Sequence, residues 1–508
     1  MLLRGVRPLR ELLLLSLLAA AVVNAGNMVA VDGKRRLQVA HWLWLGEAPV
    51  LPEDAPVFGN RGKDGRLHAW YGLGHSLWML PFDVVSHGAL AAAGSLIPLQ
   101  ESTRRQADVV LVAWMSQSAL LFLALAAARG LLLRLEFRPA AASAGVLILL
   151  FGTSLLHYVQ NCQENLLILT CDLWAFLSIL RWRERHCRSD ALRAGAAAGF
   201  AILTRLSAAL DLAALLLFAF LLAGRQALRL VWQALPSFLV FALIERYYNF
   251  HRFGDWLGAY VPNVRDLSSG SAALVFNRSF SRGFFGALFA PDVSIFLFDP
   301  LLVLALVLLA VGWVRLPGSV RAYAVALLAL LLGQISLYAR FLSYSGEIAW
   351  GDRYVAATVE MLALLAAPLA VSRWSAMRKP GKAAVAACVL AAVLVQISSV
   401  MVMLGVEEIQ MKHEGRAVFA VLRRWTNIWL VWSGAAEGHP LFVNVPREWT
   451  RPSLLPFQLE FRHQALYKPA IAAWVVLLVL TVLAAIRAAA AGFSLPRGSP
   501  QKARNSSP

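Results

Sequence analysis

Charge-free apolar stretches recur along the whole of this chain. Three of them are Leu12–Val23, Leu301–Val311 and Ala470–Ala485. Several such stretches approach the roughly 20 apolar residues that a helix needs to cross a bilayer. Only 15% of the 508 residues are charged, whereas soluble domains carry about a quarter. We therefore predict an all-α polytopic membrane protein, and dividing its length into soluble domains would be misleading.

The apolar stretches predict about twelve transmembrane helices. They lie near residues 11–31, 107–128, 140–157, 165–180, 194–206, 210–224, 230–247, 294–313, 321–339, 354–372, 383–404 and 470–486. The first stretch could also be a signal peptide, because arginines precede it and small residues follow it. We favour a retained helix, since the stretch is long enough to span. Arg205 and Asp211 stand where two short spans meet, which makes that pair the weakest.

Basic residues indicate the orientation. The net charge is +18, but no basic–aromatic strip on a soluble domain supports nucleic-acid binding. Basic residues divide evenly between the two sides, and those on one side are concentrated in short loops. The positive-inside rule makes that side cytoplasmic. We therefore predict an inner (plasma) membrane protein with cytoplasmic N- and C-termini and outer loops at about 32–106, 246–293 and 405–469. Residues 491–508 are predicted to be a basic, disordered cytoplasmic tail.

The first outer loop is predicted to carry interfacial helices. Arg35–Leu45 and Leu77–Leu96 both show apolar–polar patterning suited to a helix that lies on a membrane. The four cysteines have no paired spacing, which argues against a disulfide framework or a zinc site. The sequence contains no P-loop, dinucleotide fingerprint or serine-nucleophile elbow. With these motifs absent, the candidates for chemistry are the acidic and basic residues predicted at the outer face.

Two acidic residues are candidates for chemistry. Asp32 is predicted to stand just outside the first span, either as a solvated loop charge or as a base that reaches a substrate at the bilayer surface. Glu164 lies in the polar stretch His157–Asn165, between two spans, where an ionisable residue marks either an ordinary turn or a functional site. Both are predicted on the outer face. They could therefore meet in one pocket.

Arginines on the same face are candidates for phosphate binding. Arg353 lies in the passage Trp350–Tyr354 at the start of a span, and Arg252 opens the second outer loop. An arginine placed there can hold a phosphate through paired N–H donors. The alternative is that Arg353 reaches toward head groups or pairs with Asp352. Position alone favours the alternative.

In order along the chain, these landmarks resemble the GT-C superfamily of membrane glycosyltransferases, particularly bacterial proteins similar to the protein O-mannosyltransferases. The resemblance extends over roughly residues 11–490. Its passages are Asp32–Arg36, Asp64–Pro81, Phe151–Glu164, Tyr248–Gly254, Gly283–Leu301 and Trp350–Tyr354. This chain departs from the family pattern where Gly33 replaces a second acid, Asp299 replaces a tyrosine and Asp352 replaces a proline.

The resemblance implies a GT-C-like fold in which residues 1–490 form a single transmembrane domain. It implies inverting transfer of a hexose or pentose, in a mannosyltransferase-like reaction, from a polyprenyl-phosphate donor to a glycan, lipid or protein acceptor. Asp32 and Glu164 would be catalytic, and Arg353 would bind the donor phosphate with Arg252 and Arg282 in reserve. Tyr158, Asn165, Tyr260 and Asp352 would line the substrate pocket.

No cofactor is required by these motifs, and a divalent cation remains open. Membrane lipids are the other expected partners. Two alternative functions also remain open. The change at Gly33 keeps a non-catalytic scaffold in consideration, and the polytopic architecture allows a transporter or flippase.

Overall fold

The structure is a computed structural model, and it describes residues 3–28, 30–46, 59–96, 100–256, 277–341, 345–346, 349–462 and 464–493. It is built from helices and one short β-hairpin, whose strands β1 (Gly59–Arg61) and β2 (Leu67–Ala69) pair antiparallel. The helices are α1 (Leu3–Val23), α2 (Val31–Leu45), α3 (Gly74–Leu96), α4 (Glu101–Arg134), α5 (Pro139–Gly152), α6 (Leu155–Asn161), α7 (Asn165–Arg185), α8 (Arg188–Thr204), α9 (Ala209–Ala223), α10 (Ala227–Phe253), α11 (Phe280–Phe289), α12 (Ile295–Phe298), α13 (Pro300–Gly312), α14 (Gly318–Tyr338), α15 (Ala356–Ala363), α16 (Ala366–Arg373), α17 (Lys379–Met401), α18 (Val406–Glu414), α19 (Ala420–Trp432), α20 (Leu455–Arg462) and α21 (Gln464–Phe493).

Several helices have the length and composition of membrane spans. Within the described residues seven segments qualify, or eight if α5 and α6, which are bent by 53° at a short break, form one span. The seven segments are Glu101–Arg134, Asn165–Arg185, Leu206–Phe253, Gly318–Tyr338, Ala356–Ala376, Lys379–Met401 and Ala465–Gly492. The predicted all-α multi-span architecture is confirmed. The count of about twelve is not, because some helices are short and α1 carries Arg7, Arg10 and Glu11.

The first helix ends earlier than the sequence predicts. We expected a span to residue 31, but α1 ends at Val23 and a turn follows. The Asn24 side chain accepts a hydrogen bond from the Gly26 N–H at 2.8 Å, and Gly26 adopts a φ of +74°. This left-handed conformation stops the helix. Asp32 therefore lies in the first turn of a separate helix, α2.

The bundle is layered around α7. Nearly all of the apolar part of α7 is buried, whereas most of α21 is exposed on the outside of the bundle. Phe176 of α7 packs edge-on against Phe218 and Tyr323, with ring centroids 5.0 Å apart in both cases. Helices α4, α8, α9 and α15 surround α7. The N-terminal end of this central helix is therefore enclosed by its neighbours.

The predicted interfacial segments of the first loop are helical. They correspond to α2 and α3, which pack against each other and, through α3, against α4. The predicted tail extends beyond the described residues, since α21 continues to Phe493 and 494–508 lie outside them. Tyr260, a predicted pocket residue, also lies outside the described residues. The structure therefore bears on the other eight predicted site residues.

Candidate functional site

Asp32 and Arg353 come together although 321 positions separate them in the sequence. Arg353 Nη1 donates a hydrogen bond to Asp32 Oδ2 at 3.1 Å, and the Tyr71 hydroxyl donates to Asp32 Oδ1 at 2.7 Å. The two charged side chains are mostly buried, with 18% of Asp32 and 21% of Arg353 exposed. Both oxygens of the carboxylate are thus held by a donor on a different part of the chain.

Glu164 lies between α6 and α7 and is enclosed by two further arginines. Arg36 Nη1 donates to Glu164 Oε2 at 2.8 Å, and Arg205 Nη1 lies 4.0 Å from Glu164 Oε1. Arg36 is one helical turn beyond Asp32 on α2, so both side chains share a face of that helix. Arg205 follows the last residue of α8, where an extended backbone interrupts the helix. Three elements therefore converge on one carboxylate.

We call Arg36, Arg205 and Arg353, with Asp32 and Glu164, the arginine–carboxylate cluster. Three positive and two negative side chains leave it with a formal charge of +1. Burial alone would raise the pKa of Glu164, but the guanidiniums of Arg36, Arg353 and Arg205 outweigh it and hold the pKa below its usual range. Glu164 is therefore ionised and pairs with these guanidiniums as a carboxylate.

The cluster retains unused hydrogen-bond donors. In the described part of the chain, Arg36 Nε and Arg353 Nε are buried without a partner. Asn165 donates its side-chain amide to the Arg353 carbonyl at 2.6 Å, which fixes the backbone that carries this guanidinium. Buried N–H donors without a partner are unfavourable. A ligand with acceptor oxygens would satisfy them.

Aromatic rings form one wall beside Arg205. The rings of Tyr338 and Tyr354 stack with centroids 3.9 Å apart. Arg205 donates to the Tyr338 hydroxyl at 3.0 Å and lies 5.0 Å from the Tyr354 ring centroid. A small cavity next to these groups is lined by Asn165, Ile168, Arg205, Ser207, Ala208, Asp211, Gln334, Tyr354 and Ala357. The site therefore continues from the cluster into the bundle.

Neither a protein-family model nor a curated protein sequence matches this chain. Among solved structures, it is similar to the crystal structure of ArnT from Cupriavidus metallidurans bound to undecaprenyl phosphate. The two chains are 14% identical, the alignment covers 94% of this chain and 76% of that chain, and the TM-score is 0.46. A likeness of this degree concerns the course of the chain alone. The function is inferred below from the side chains of this protein.

The glycine at position 33 has a structural reason. A Cβ atom at Gly33 would lie 3.0 Å from the carbonyl oxygen of Cys162 and 3.5 Å from that of Asn161. The first turn of α2 therefore lies against the backbone that leads into Glu164. An acidic side chain at this position would meet two carbonyl oxygens. The glycine that replaces a second acid of the family pattern therefore also allows the first turn of α2 to pack against the backbone of Asn161 and Cys162.

A glycine-rich strap, residues 71–75, crosses the cluster. Cβ atoms at Gly72 and Gly74 would lie within 2.4 Å of Thr204, so the strap packs backbone to backbone on the end of α8. His75 follows, fully buried, and neither ring nitrogen has a partner in the described part of the chain. Burial, reinforced by the nearby charge of Arg36, lowers the pKa of His75 to about 3. The imidazole is therefore neutral beside the cluster.

Two predicted pocket residues belong to a separate buried polar group. Tyr158 is fully buried on α6 near the acidic side chains of Glu360, Asp299 and Asp352, and the Arg353 guanidinium of the cluster is also near it. The Ser154 hydroxyl donates to Glu360 Oε1 at 2.9 Å, and the Ser154 N–H donates to Asp299 Oδ1 at 3.2 Å. Burial raises the pKa of Asp352 to about 7. This group adjoins the cluster through the sequence neighbours Asp352 and Arg353.

The two reserve arginines lie elsewhere. Arg252 is buried on α10 and donates hydrogen bonds to the Ala69 carbonyl and to Asn249 Oδ1, which ties the β-hairpin to that helix. Its guanidinium also covers the Tyr248 ring at 3.7 Å. Arg282 is exposed on α11. Neither takes part in the contacts of Asp32 and Glu164 described above, so only Arg353 of the three candidates joins the cluster.

Several residues of the cluster and its surroundings were not predicted from the sequence as site residues. They are Arg36, Tyr71, His75, Arg205, Tyr338 and Tyr354. Arg36 could have been predicted from the sequence, because it lies four positions after Asp32 at the start of a helix and therefore on the same face. Within the described residues, no group of three or more histidine, cysteine or acidic side chains could hold a metal ion. The cluster itself consists of guanidinium and carboxylate groups.

Proposed function

We propose that this protein is a membrane glycosyltransferase that moves a sugar from a polyprenyl-phosphate donor to an acceptor hydroxyl at the extracytoplasmic face of the inner membrane. The observation that carries the proposal is the arginine–carboxylate cluster. Its formal charge of +1 and its unused N–H donors suit one phosphate group. A sugar linked to a lipid through a single phosphate is a diester with one negative charge, which matches the excess.

An apolar groove supports a lipid donor. The groove lies between α8, α9 and α10, is open on one side, has a cavity volume of about 150 Å³ and is lined almost wholly by apolar atoms. It begins on α9 at Leu212, the residue after Asp211 of the small polar cavity. A lipid phosphate is amphipathic, with a charged head and an apolar tail. The phosphate head would bind at Arg205, and the apolar tail would be buried in the groove along α9.

The reaction proposed is a single displacement. The acceptor oxygen attacks the anomeric carbon, the bond from that carbon to the phosphate oxygen breaks, and the bonding electrons leave with the phosphate. Asp32 accepts the proton of the acceptor hydroxyl as general base. Arg353 stabilises the charge that develops on the departing phosphate. Attack from the face opposite the phosphate inverts the anomeric centre.

The other residues have supporting roles in this proposal. Glu164 holds Arg36 and Arg205 in position and limits the positive charge of the cluster. Asn165 positions Arg353 through its carbonyl, and Tyr71 orients the carboxylate of Asp32. The contacts of Arg252 give it a structural role at the β-hairpin. Arg282 is not needed for donor binding.

Transfer of radiolabelled sugar from a synthetic polyprenyl-phosphate sugar tests the proposal. The full chain in proteoliposomes is compared with Asp32→Asn, and Asp64→Asn, an exposed acid of the β-hairpin turn, is the matched control. We expect transfer by the wild type and by Asp64→Asn, and a loss of two to four orders of magnitude for Asp32→Asn. Movement of donor across the bilayer without transfer would support a flippase. Equal labelling by Asp32→Asn and the wild type would rule out the role of Asp32 as base.

A further inference from the structure

Helix α19 presents an exposed stripe of large apolar side chains. The stripe consists of Leu422, Trp425, Trp429 and Trp432, which lie on one side of a helix with 3.6 residues per turn. Trp429 is 74% exposed and Leu422 is 66% exposed. A contiguous exposed patch of large apolar side chains marks a surface that binds a membrane or another protein. The contacts of the helix indicate what lies against this face.

The opposite face of α19 is fixed to the protein. Arg424 is fully buried, donates to the Val402 carbonyl at 2.7 Å and pairs with Glu407 at 2.7 Å. Asn427 on the same face donates to Glu407 at 2.7 Å. The Arg424 guanidinium also lies 4.9 Å from the centroid of the Trp350 ring. The helix therefore has one fixed orientation, and the tryptophan stripe cannot turn inward.

The C-terminal end of α19 lies beside the end of a membrane span. Trp432 donates its indole N–H to the carbonyl of Met401, the last residue of the span α17, at 3.3 Å. Its ring packs on Phe457, which in turn packs on Trp474 of the span α21. At the N-terminal end of α19, Val421 packs on a core cluster that includes Val395, six residues before the end of α17. The helix therefore lies against the last turns of that span.

Exposed and buried side chains occupy different faces of α19. Arg424, Asn427 and Val431 are buried on one face, and Trp425, Trp429 and Trp432 are exposed on another. The exposed stripe includes Trp432, which contacts the end of the span α17. An apolar face beside the end of a span is typical of helices that lie in the plane of a membrane interface.

We propose that α19 is an interfacial membrane helix whose tryptophan stripe inserts between the lipid head groups at this end of the bundle. Tryptophan favours this depth because its ring is apolar and its N–H is polar. Through Arg424 and Trp350, the inserted helix supports the loop that carries Arg353 three residues later. The arginine–carboxylate cluster is thereby held at head-group depth. The insertion itself does not depend on the enzymatic activity proposed above.

Spin labels measured in nanodiscs of phosphatidylethanolamine and phosphatidylglycerol test the proposal. The full chain carries Cys187→Ser and Cys388→Ser, which remove the two accessible cysteines, since Cys162 and Cys171 are buried. A single label is placed by Trp429→Cys on the stripe or by Arg66→Cys on the exposed turn of the β-hairpin, which is the reference for contact with water. Val479→Cys on the exposed surface of α21 is the reference for contact with lipid. Power saturation compares collisions with oxygen, which concentrates in lipid, and with a water-soluble nickel chelate.

We expect the ratio of oxygen to nickel accessibility to exceed one at residues 429 and 479 and to fall below one at residue 66. A ratio below one at residue 429 would overturn the proposal, because the stripe would then face water. Low accessibility to both reagents at residue 429 would also overturn it, since a second protein surface would then cover the stripe. If Trp429→Cys does not fold, Leu422→Cys on the same stripe gives the same test.

Discussion

Replacing Asp32 by asparagine is expected to separate phosphate binding from sugar transfer. The substitution keeps the shape of the side chain but removes its charge, so the formal charge of the arginine–carboxylate cluster rises from +1 to +2. It also frees Arg353 from the carboxylate that it contacts at 3.1 Å. A bound lipid phosphate would therefore meet a stronger positive field and a less occupied guanidinium.

The size of the effect follows from Coulomb's law. A phosphate at the free Nε of Arg353 would stand about 6 Å from the Asp32 carboxylate, and at an effective dielectric constant of about 20 their repulsion is about 3 kcal/mol. Partial exposure of the pair reduces this figure to about 1–2 kcal/mol. We therefore expect Asp32→Asn to bind polyprenyl phosphate about tenfold more tightly than the wild type. Sugar transfer by the same variant should fall about 100-fold or more.

The assay is equilibrium binding of polyprenyl phosphate, without a sugar, to the full chain in detergent. Asp64→Asn is the control, because it removes one charge from an exposed turn outside the cluster. Its affinity should equal that of the wild type. Unchanged or weaker binding by Asp32→Asn would refute the assignment of the cluster as the phosphate site, whatever happens to transfer.

Three further outcomes follow from the same contacts. Arg353→Lys loses the forked donor, so polyprenyl phosphate should bind about tenfold more weakly in the same assay. Glu164→Gln leaves buried guanidiniums uncompensated and should lower the free energy of unfolding by about 3 kcal/mol, measured by chemical denaturation in detergent. Because the pKa of Glu164 is lowered on folding, its contribution is present at neutral pH and lost as the pH falls below 4.5; the glutamine variant should lack this acid-dependent loss. Gly33→Ala places a Cβ 3.0 Å from the Cys162 carbonyl and should reduce transfer and thermal stability, whereas Gly94→Ala, with open space around it, should leave both unchanged.

The fold and part of the site could be predicted from the sequence because both depend on local patterns. Apolar runs without charge require a membrane, and Asp32, Glu164 and Arg353 stand at the ends of such runs. Where helices end was less predictable. The turn at Asn24–Gly26 depends on a side-chain cap and a left-handed glycine, and the same apolar composition continues past it. The predicted first span was therefore eight residues too long at its C-terminal end.

The partners of the candidate residues could not be predicted, because they depend on packing between distant segments. Arg205 meets Glu164 only because α8 ends beside the start of α7. Tyr71 reaches Asp32 because the glycine-rich strap packs on Thr204. Tyr158 shows the converse, since it lies near Glu164 in the sequence but points into a different polar group. The order of the motifs along the chain predicted which passages lie close together. It did not predict which side chains contact each other.

The charge of the cluster links its position at the end of the membrane bundle to the lipid phosphate that we propose as its ligand. Burying three guanidiniums beside two carboxylates is unfavourable unless the remaining charge finds a counter-ion. In water that counter-ion would be mobile and weakly held. At the end of a membrane bundle, next to an apolar groove, the anion with the greatest local concentration is a lipid phosphate. The same excess charge that destabilises the empty site therefore favours a ligand whose tail is already in the bilayer, and the interfacial position of α19 would hold the site at the depth where that phosphate lies.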